Sequence, residues 1–269
     1  MTRPITFLSD YGLDDEFVGV VHGVIAGICP DAQVIDISHG VPRQAVAVGA
    51  AMLSRSLPYV PAGVHLAVVD PEVGARRRAV VLRTASEDRL LVGPDNGLLV
   101  PAAEQFGGVA EAIEISASPW RLEPVSATFH GRDLFAPVAA RLACGEPLAS
   151  AGAPLEASEL VVPERSVPRH EAGVLIAHVV ATDTYGNAVL DAVHGDLMES
   201  GLRLGDPINA RTGSRRVRGV VARTFSDVGA GALLLYEDAS GSLALAVNGG
   251  DAAALLGVRA GDEVRLESG

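Results

Sequence analysis

Three apolar runs in this 269-residue chain end in an aspartate followed by a glycine-bearing turn. ITFLSDYG places Asp10 after the first, HLAVVDPEVG places Asp70 after the second, and AHVVATDTYGN places Asp183 after the third, with Asn187 behind it. Ligands of open α/β sheets bind outside the carboxyl ends of the strands, so a carboxylate there can reach one. Aspartate and glycine are also ordinary turn residues, and for any single case that reading competes evenly. Asp70 carries more than a turn needs: Pro71, Gly74 and the run Arg76, Arg77, Arg78 follow it. An arginine there can return to the carboxylate or hold an anionic intermediate. The segment ATFHGRDLFAP adds His130, which can move a proton near neutral pH. Asp133 suits the cap or first turn of the helix that starts there. His39, in DISHGVP, either lines the same site or shapes its turn. His22, His65, His170, His178 and His194 show no polar clustering and read as structural.

These residues need a scaffold that brings strand ends together. Strand-like runs at 5–9, 34–37, 64–69, 79–84 and 90–92 alternate with helical patterns at 17–28, 44–57 and 133–143. That alternation predicts an α/β domain over 1–162: a mostly parallel sheet flanked by helices. The stretch 163–173, with two prolines and no periodicity, reads as a linker. From 174 to 269 come short strands at 174–181, 188–190, 216–225, 232–236, 242–247 and 263–266, and one helix at 251–256. This pattern predicts a smaller antiparallel β-barrel-like domain.

Composition removes several classes of function. Net charge is −12, against the basic face that nucleic-acid binding needs. All 21 basic residues are arginine. Without lysine there is no Schiff-base chemistry and no P-loop. No GxGxxG fingerprint follows a strand. No apolar run approaches the ~18 residues of a membrane span. The N-terminus reaches Asp10 and Gly12 too early for a signal peptide, so the expected location is the cytoplasm. Cys29 and Cys144 are far apart without CxxC spacing, and read as two small core residues rather than a disulfide or zinc site.

Taken together, LSDYGLDDEFVG, DISHGVP, VVDPEVGARRRAVV, GPDNGLL, TFHGRDLFAP, DTYGN and SGSLALAVNGG resemble the S-adenosyl-L-methionine (SAM) hydroxide adenosyltransferases. These SAM hydrolases are related to the SAM-dependent fluorinase and chlorinase. The resemblance spans essentially the whole chain. It implies the reaction of SAM with water to give adenosine and methionine, with SAM as substrate and with no cofactor or metal. It implies a catalytic set of Asp70, Arg77 and His130, with Arg76 and Arg78 as neighbouring alternatives. It implies Asp10 as the ribose carboxylate and Asp15 and Asp183 near the methionine end. Asn187 and Tyr185 follow as substrate contacts, Val247 and Gly249 as part of the adenine-contacting strand, and Ser240 as the polar member of the Ala239–Ser240 pair. It further implies a homotrimer with substrate at the subunit interface. Glu72 departs from the family pattern, which has glycine there.

Three other readings compete with hydrolysis. A halogenase would have to shelter a halide beside Asp70, which a carboxylate repels. A metal-dependent phosphohydrolase would use Asp10, Asp15, Asp70 and His130 as ligands. A non-catalytic module would bind SAM or a nucleoside without turnover.

Overall fold

The computed structural model describes residues 2–164 and 166–269 and divides the chain into two compact units, Met1–Pro163 and Glu164–Gly269. Among the described residues no helix is long and apolar enough to cross a membrane.

In the first unit the chain runs β1 (Ile5–Ser9), α1 (Phe17–Ile28), β2 (Val34–Ser38), α2 (Val46–Ser56), β3 (Val64–Val68), β4 (Ala79–Thr84) and β5 (Leu90–Pro94). It continues through α3 (Val100–Glu104), β6 (Val109–Glu114), a π-helical turn (Gly131–Phe135), α4 (Ala136–Ala143) and β7 (Ala153–Leu155). The seven strands form one sheet in the order β2-β1-β3-β5-β4-β6-β7. The pairs β1–β2, β1–β3 and β3–β5 are parallel, whereas β4 runs antiparallel to both of its neighbours. The reversal has a local cause: only five residues separate Thr84 from Leu90, and a short connection permits only an antiparallel pair. It also has a consequence for chemistry. The start of β4, just after Arg77 and Arg78, lies at the edge where β1, β2, β3 and β5 end.

Strand alternation sets the layers. Ile5, Phe7, Leu66, Val68, Val81 and Val92 point into a core closed by Val21 and Ile25 of α1 and Val138 and Leu142 of α4. Leu8, Ala67, Val80 and Leu82 point the other way and are equally buried. Gly49 of α2 touches that opposite face: an added Cβ would lie 2.9 Å from a Val69 methyl. With both faces covered, the central strands read as continuous apolar runs.

The sequence reading lacks α3, β6 and β7, and two further features depart from it. Helical structure begins two residues before Asp133, as a π turn from Gly131, so Asp133 lies inside it rather than capping a helix. Cys29 and Cys144 are joined in a disulfide, Cα–Cα 5.9 Å, in place of two free core thiols. Their separation of 115 residues hides that α1 and α4 pack together and end side by side.

The second unit holds β8 (Arg169–Glu171), β9 (Val174–Thr182), β10 (Ala188–Val193), α5 (His194–Glu199), β11 (Pro207–Thr212), β12 (Arg215–Val221), β13 (Leu233–Glu237), β14 (Ser242–Val247), α6 (Ala252–Leu256) and β15 (Glu263–Ser268). Seven strands close in the ring β9-β10-β14-β13-β12-β11-β15-β9, and β8 pairs with the first half of β9. All ring pairs are antiparallel except β12–β13. Closure removes the sheet edges. Leu175, Ala177, Val179, Leu190, Leu235, Leu245 and Val264 fill the interior. The sequence reading lacks α5 and β11, and it extends β12 to Phe225, where a turn capped by Asp227 has already begun. Strand β8 lies inside the segment read as a linker.

Candidate active site

Asp70 follows β3, and its side chain is 5% exposed. Two neighbours fix the strand end that carries it. Asn96, in the turn after β5, donates its side-chain amide to the Val69 carbonyl at 2.9 Å and accepts the Leu98 N–H at 3.2 Å. Gly74, at φ +76°, lets the loop pack against the backbone before His130, where an added Cβ would lie 2.2 Å from the Ala127 carbonyl.

The arginine run splits by strand alternation. Arg77, 4% exposed, turns back to Asp70: Nε donates to Oδ1 at 2.9 Å and to Oδ2 at 3.0 Å, and Nη2 donates to Oδ2. Arg78 turns outward to Asp95 and Glu159. Asp95 also accepts the Val161 N–H, so GPDNGLL supplies scaffold for both arginines. Arg77 Nη2 lies 2.8 Å from His130 Nδ1, and the guanidinium sits 5.2 Å from the Phe135 ring centre. Asp70, Arg77 and His130 therefore form one contiguous array.

His130 stands at the mouth of the π turn, a distortion often found at functional positions. Asp133 holds this segment: it accepts the Ser126 N–H at 2.8 Å and both Nε and Nη2 of Arg132. Burial alone would raise the Asp133 pKa, but the Arg132 hydrogen bonds, the Ser126 amide and the charges of Arg132 and His130 outweigh it and leave it lowered. Burial lowers the His130 pKa, the Arg77 charge lowers it further, and Asp70 and Asp133 oppose without cancelling. Arg77 can only donate, so His130 Nδ1 must accept, and the neutral ring carries its proton on Nε2.

Asp10 sits beyond β1. Its Oδ2 accepts the Gln44 N–H at 2.9 Å, and Gln44 holds the unusual φ of +63° that makes this possible. No hydrogen bond engages Oδ1 among the described residues. Tyr11 is the residue that sequence reasoning missed. Its hydroxyl crosses Gly131, where a Cβ would lie 2.1 Å away, and its ring meets Phe7, Phe17 and Phe129. Burial pushes its pKa up, and Asp10 and Asp70 push it further, against Arg77, so it stays a protonated donor. An aromatic after a strand reads as core; the clue was Gly131 in TFHGRD, a place for a close approach. Asp15 is exposed in the loop before α1. Glu72 is exposed too, and its carbonyl accepts the Ala75 N–H within the Asp70 loop.

In the second unit, Tyr185, Asn187, Phe225 and residues 247–250 line a pocket of ≈ 330 Å³, which includes Val247 and Gly249. The Asp183 carboxylate is spent within its own turn, on the amides of Tyr185 and Asn187 and on the Asn187 side chain. Ser240 is not brought to this pocket. It lies in the turn at the opposite end of the β13–β14 pair from Val247.

Among the described residues, Asp10, Asp15, Asp70 and His130 form no metal-sized group, and Arg77 already pairs with the Asp70 carboxylate. The histidines set aside as structural are not free of polar partners either. His178 pairs with Asp191, His194 with Glu237, and His22 with Asp36.

Comparison with known proteins covers both units. The model of the SAM hydroxide adenosyltransferase N-terminal domain matches residues 5–152, and that of the C-terminal domain matches 177–265. An (R)-S-adenosyl-L-methionine hydrolase of Salinispora tropica is 50% identical over 98% of both chains. A fluorinase of Nocardia brasiliensis is 29% identical over 99% of this chain and 98% of its own. The crystal structure of an uncharacterized conserved protein from Thermotoga maritima superposes with a TM-score of 0.91, at 39% identity over 98% of this chain and 99% of its own.

Proposed function

The chain belongs to the SAM hydroxide adenosyltransferase family, and on that premise we propose that it hydrolyses S-adenosyl-L-methionine to adenosine and L-methionine. The observation that carries this is the 50% identity, along nearly the whole of both chains, to a protein named for that hydrolysis.

A water oxygen attacks the ribose C5′ in line with the departing sulfur. The C5′–S bond breaks, its electron pair returns to the sulfonium, and methionine leaves as a neutral thioether that needs no general acid. Positioning the water contributes up to ~7–11 kcal/mol in favourable cases. His130 donates Nε2–H to orient the water, and Asp70 accepts the proton as the new C–O bond forms. Arg77 fixes both groups and balances the charge. Tyr11 donates to the water or to a ribose oxygen. Asp10, with one oxygen held by Gln44 N–H, offers the other to the ribose hydroxyls. Asp15 and the Tyr185–Asn187 turn built by Asp183 serve the methionine end, and Val247 and Gly249 serve the adenine side; Ser240, outside their pocket, has no part in it. No metal or cofactor takes part.

Halogenation is the weaker reading. The fluorinase relative is only 29% identical, against 50% for the hydrolase. The relatives are named for the R configuration at sulfonium, and the same epimer preference is proposed here. A homotrimer with substrate at the subunit interface, working in the cytoplasm, completes the proposal; light scattering reading three chain masses tests the assembly.

The decisive experiment incubates the pure protein with each SAM epimer in heavy-oxygen water under chelator. Adenosine labelled at its 5′ oxygen, formed faster from the R epimer, is the expected result. Unlabelled product, no product, or a halide-dependent halogenated adenosine overturns the reading.

A further inference from the structure

We infer that His22, Asp36 and His39 form a site for one borderline divalent transition metal ion of the zinc, cobalt or nickel class, apart from the reacting groups. His22 comes from α1, Asp36 from β2, and His39 from the residue after β2. His22 Nε2 lies 2.9 Å and His39 Nε2 lies 3.1 Å from the same oxygen, Asp36 Oδ1. One ligand atom from each of the three falls within 4.8 Å of the others, close enough for a single ion to touch all three.

A surface histidine beside an aspartate is ordinary, and the His22–Asp36 contact alone would carry nothing. His39 is different. Its side chain is 3% exposed, and its Nε2 is buried with no hydrogen-bond partner although Asp36 is near. The nitrogen lies within the cluster, 3.1 Å from Asp36 Oδ1, yet makes no hydrogen bond to it. A buried polar atom in that state is destabilising, and a coordinated cation removes the penalty. The outer contacts fit as well. Ser9 Oγ lies 2.7 Å from His39 Nδ1, so it can take that proton and leave the Nε2 lone pair for a metal. Phe7 packs against both imidazoles, 4.6 Å from His39 and 6.1 Å from His22.

Two imidazoles and one carboxylate select borderline metals over calcium and magnesium, which take oxygen ligands. Asp36 and His22 are each more than a third exposed, so solvent reaches the cluster and can supply a fourth, water ligand. The ion would tie α1 to β2. It would also steady the Asp10 loop, because the His39 carbonyl accepts the Gly12 N–H at 2.8 Å. Its place is structural, and hydrolysis under chelator remains the expectation.

The test uses untagged, chelator-treated full chain. Calorimetric titration with Zn²⁺ should find one ion per chain, and Co²⁺ should give the visible absorption of a four-coordinate centre. His22→Ala and Asp36→Asn change half-exposed side chains, so their apo forms should melt with the parent. Each should weaken the site by about tenfold or more. His170→Ala, at the separate His170–Asp196–Glu199 surface contact, should leave it unchanged. Absence of stoichiometric uptake, uptake that survives both His22→Ala and Asp36→Asn, or uptake lost in His170→Ala overturns the site.

Discussion

The tautomer of His130 follows from its neighbour. A guanidinium has no lone pair, so the 2.8 Å contact from Arg77 makes Nδ1 an acceptor. Protonating His130 would set N–H against N–H and place a second cation beside Arg77. This agrees with a pKa pushed below the ordinary 6.5, mainly by burial and then by Arg77. Activity should therefore hold steady as pH falls to 6.5 and decline only below it, as the ring finally protonates. An acid limb in kcat/KM at or above 6.5 would contradict this tautomer. Asp70→Ala and His130→Ala should each cut turnover by about 100- to 10,000-fold while calorimetry still detects SAM binding. Near-full activity in either would remove that residue from the reaction. The sequence alone could not choose among Arg76, Arg77 and Arg78, since three identical neighbours carry no distinguishing signal. Strand alternation, which sends Arg77 inward and Arg78 toward Asp95, makes the choice geometric. Tyr11 was illegible for a different reason: its hydroxyl matters only because Gly131, far off in sequence, leaves room for it.

Among the elements, β3 carries a titratable liability. His65, its second residue, is fully buried between Thr6 Oγ1 at 2.8 Å and Arg89 Nη1 at 3.3 Å. Burial lowers its pKa to about 3, and the Arg89 charge adds to the effect. The unfolded chain takes up this proton near pH 6.5 and the folded chain refuses it until about pH 3. Stability is thus lost as pH falls through that window, by about 2 kcal/mol between pH 7 and pH 5. Urea unfolding at the two values should show the loss, and His65→Asn, which cannot titrate, should reduce it by that amount. An equal loss in the variant would mean that other groups cause it. Strands β1 to β5 were legible as apolar runs, whereas β6 and β7, at the half-exposed edge of the sheet, carry too few apolar residues to form a run and were not. The direction of β4 was not legible from apolarity, which is blind to polarity of the chain. It was present in the shortness of the 85–89 connection. The π turn was hidden because 133–143 has a good helical pattern of its own, and nothing local marks the extra turn before it.

At the scale of the whole molecule, two helices that start at the proposed site also share an end. α1 begins just after the Asp10 loop, α4 just after His130, and the Cys29–Cys144 disulfide joins their far ends. No local pattern announces a link across 115 residues; it depends on which helices the sheet order sets side by side. Closing a loop of that length restricts the unfolded chain, and natural disulfides contribute about 2–4 kcal/mol. In a unit of this size that corresponds to roughly 5–15 °C in melting temperature. Protein purified without reductant should give no reaction with a thiol reagent until it is unfolded and reduced, because both cysteines are paired. Reduction, or the double change Cys29→Ala and Cys144→Ala, should lower the melting temperature by that margin. Activity at 25 °C should persist, since Asp70, Arg77 and His130 hold one another through contacts that do not involve the bridge. Two free thiols in the native protein, or a melting temperature indifferent to reductant, would show that packing between α1 and α4 suffices without the bond.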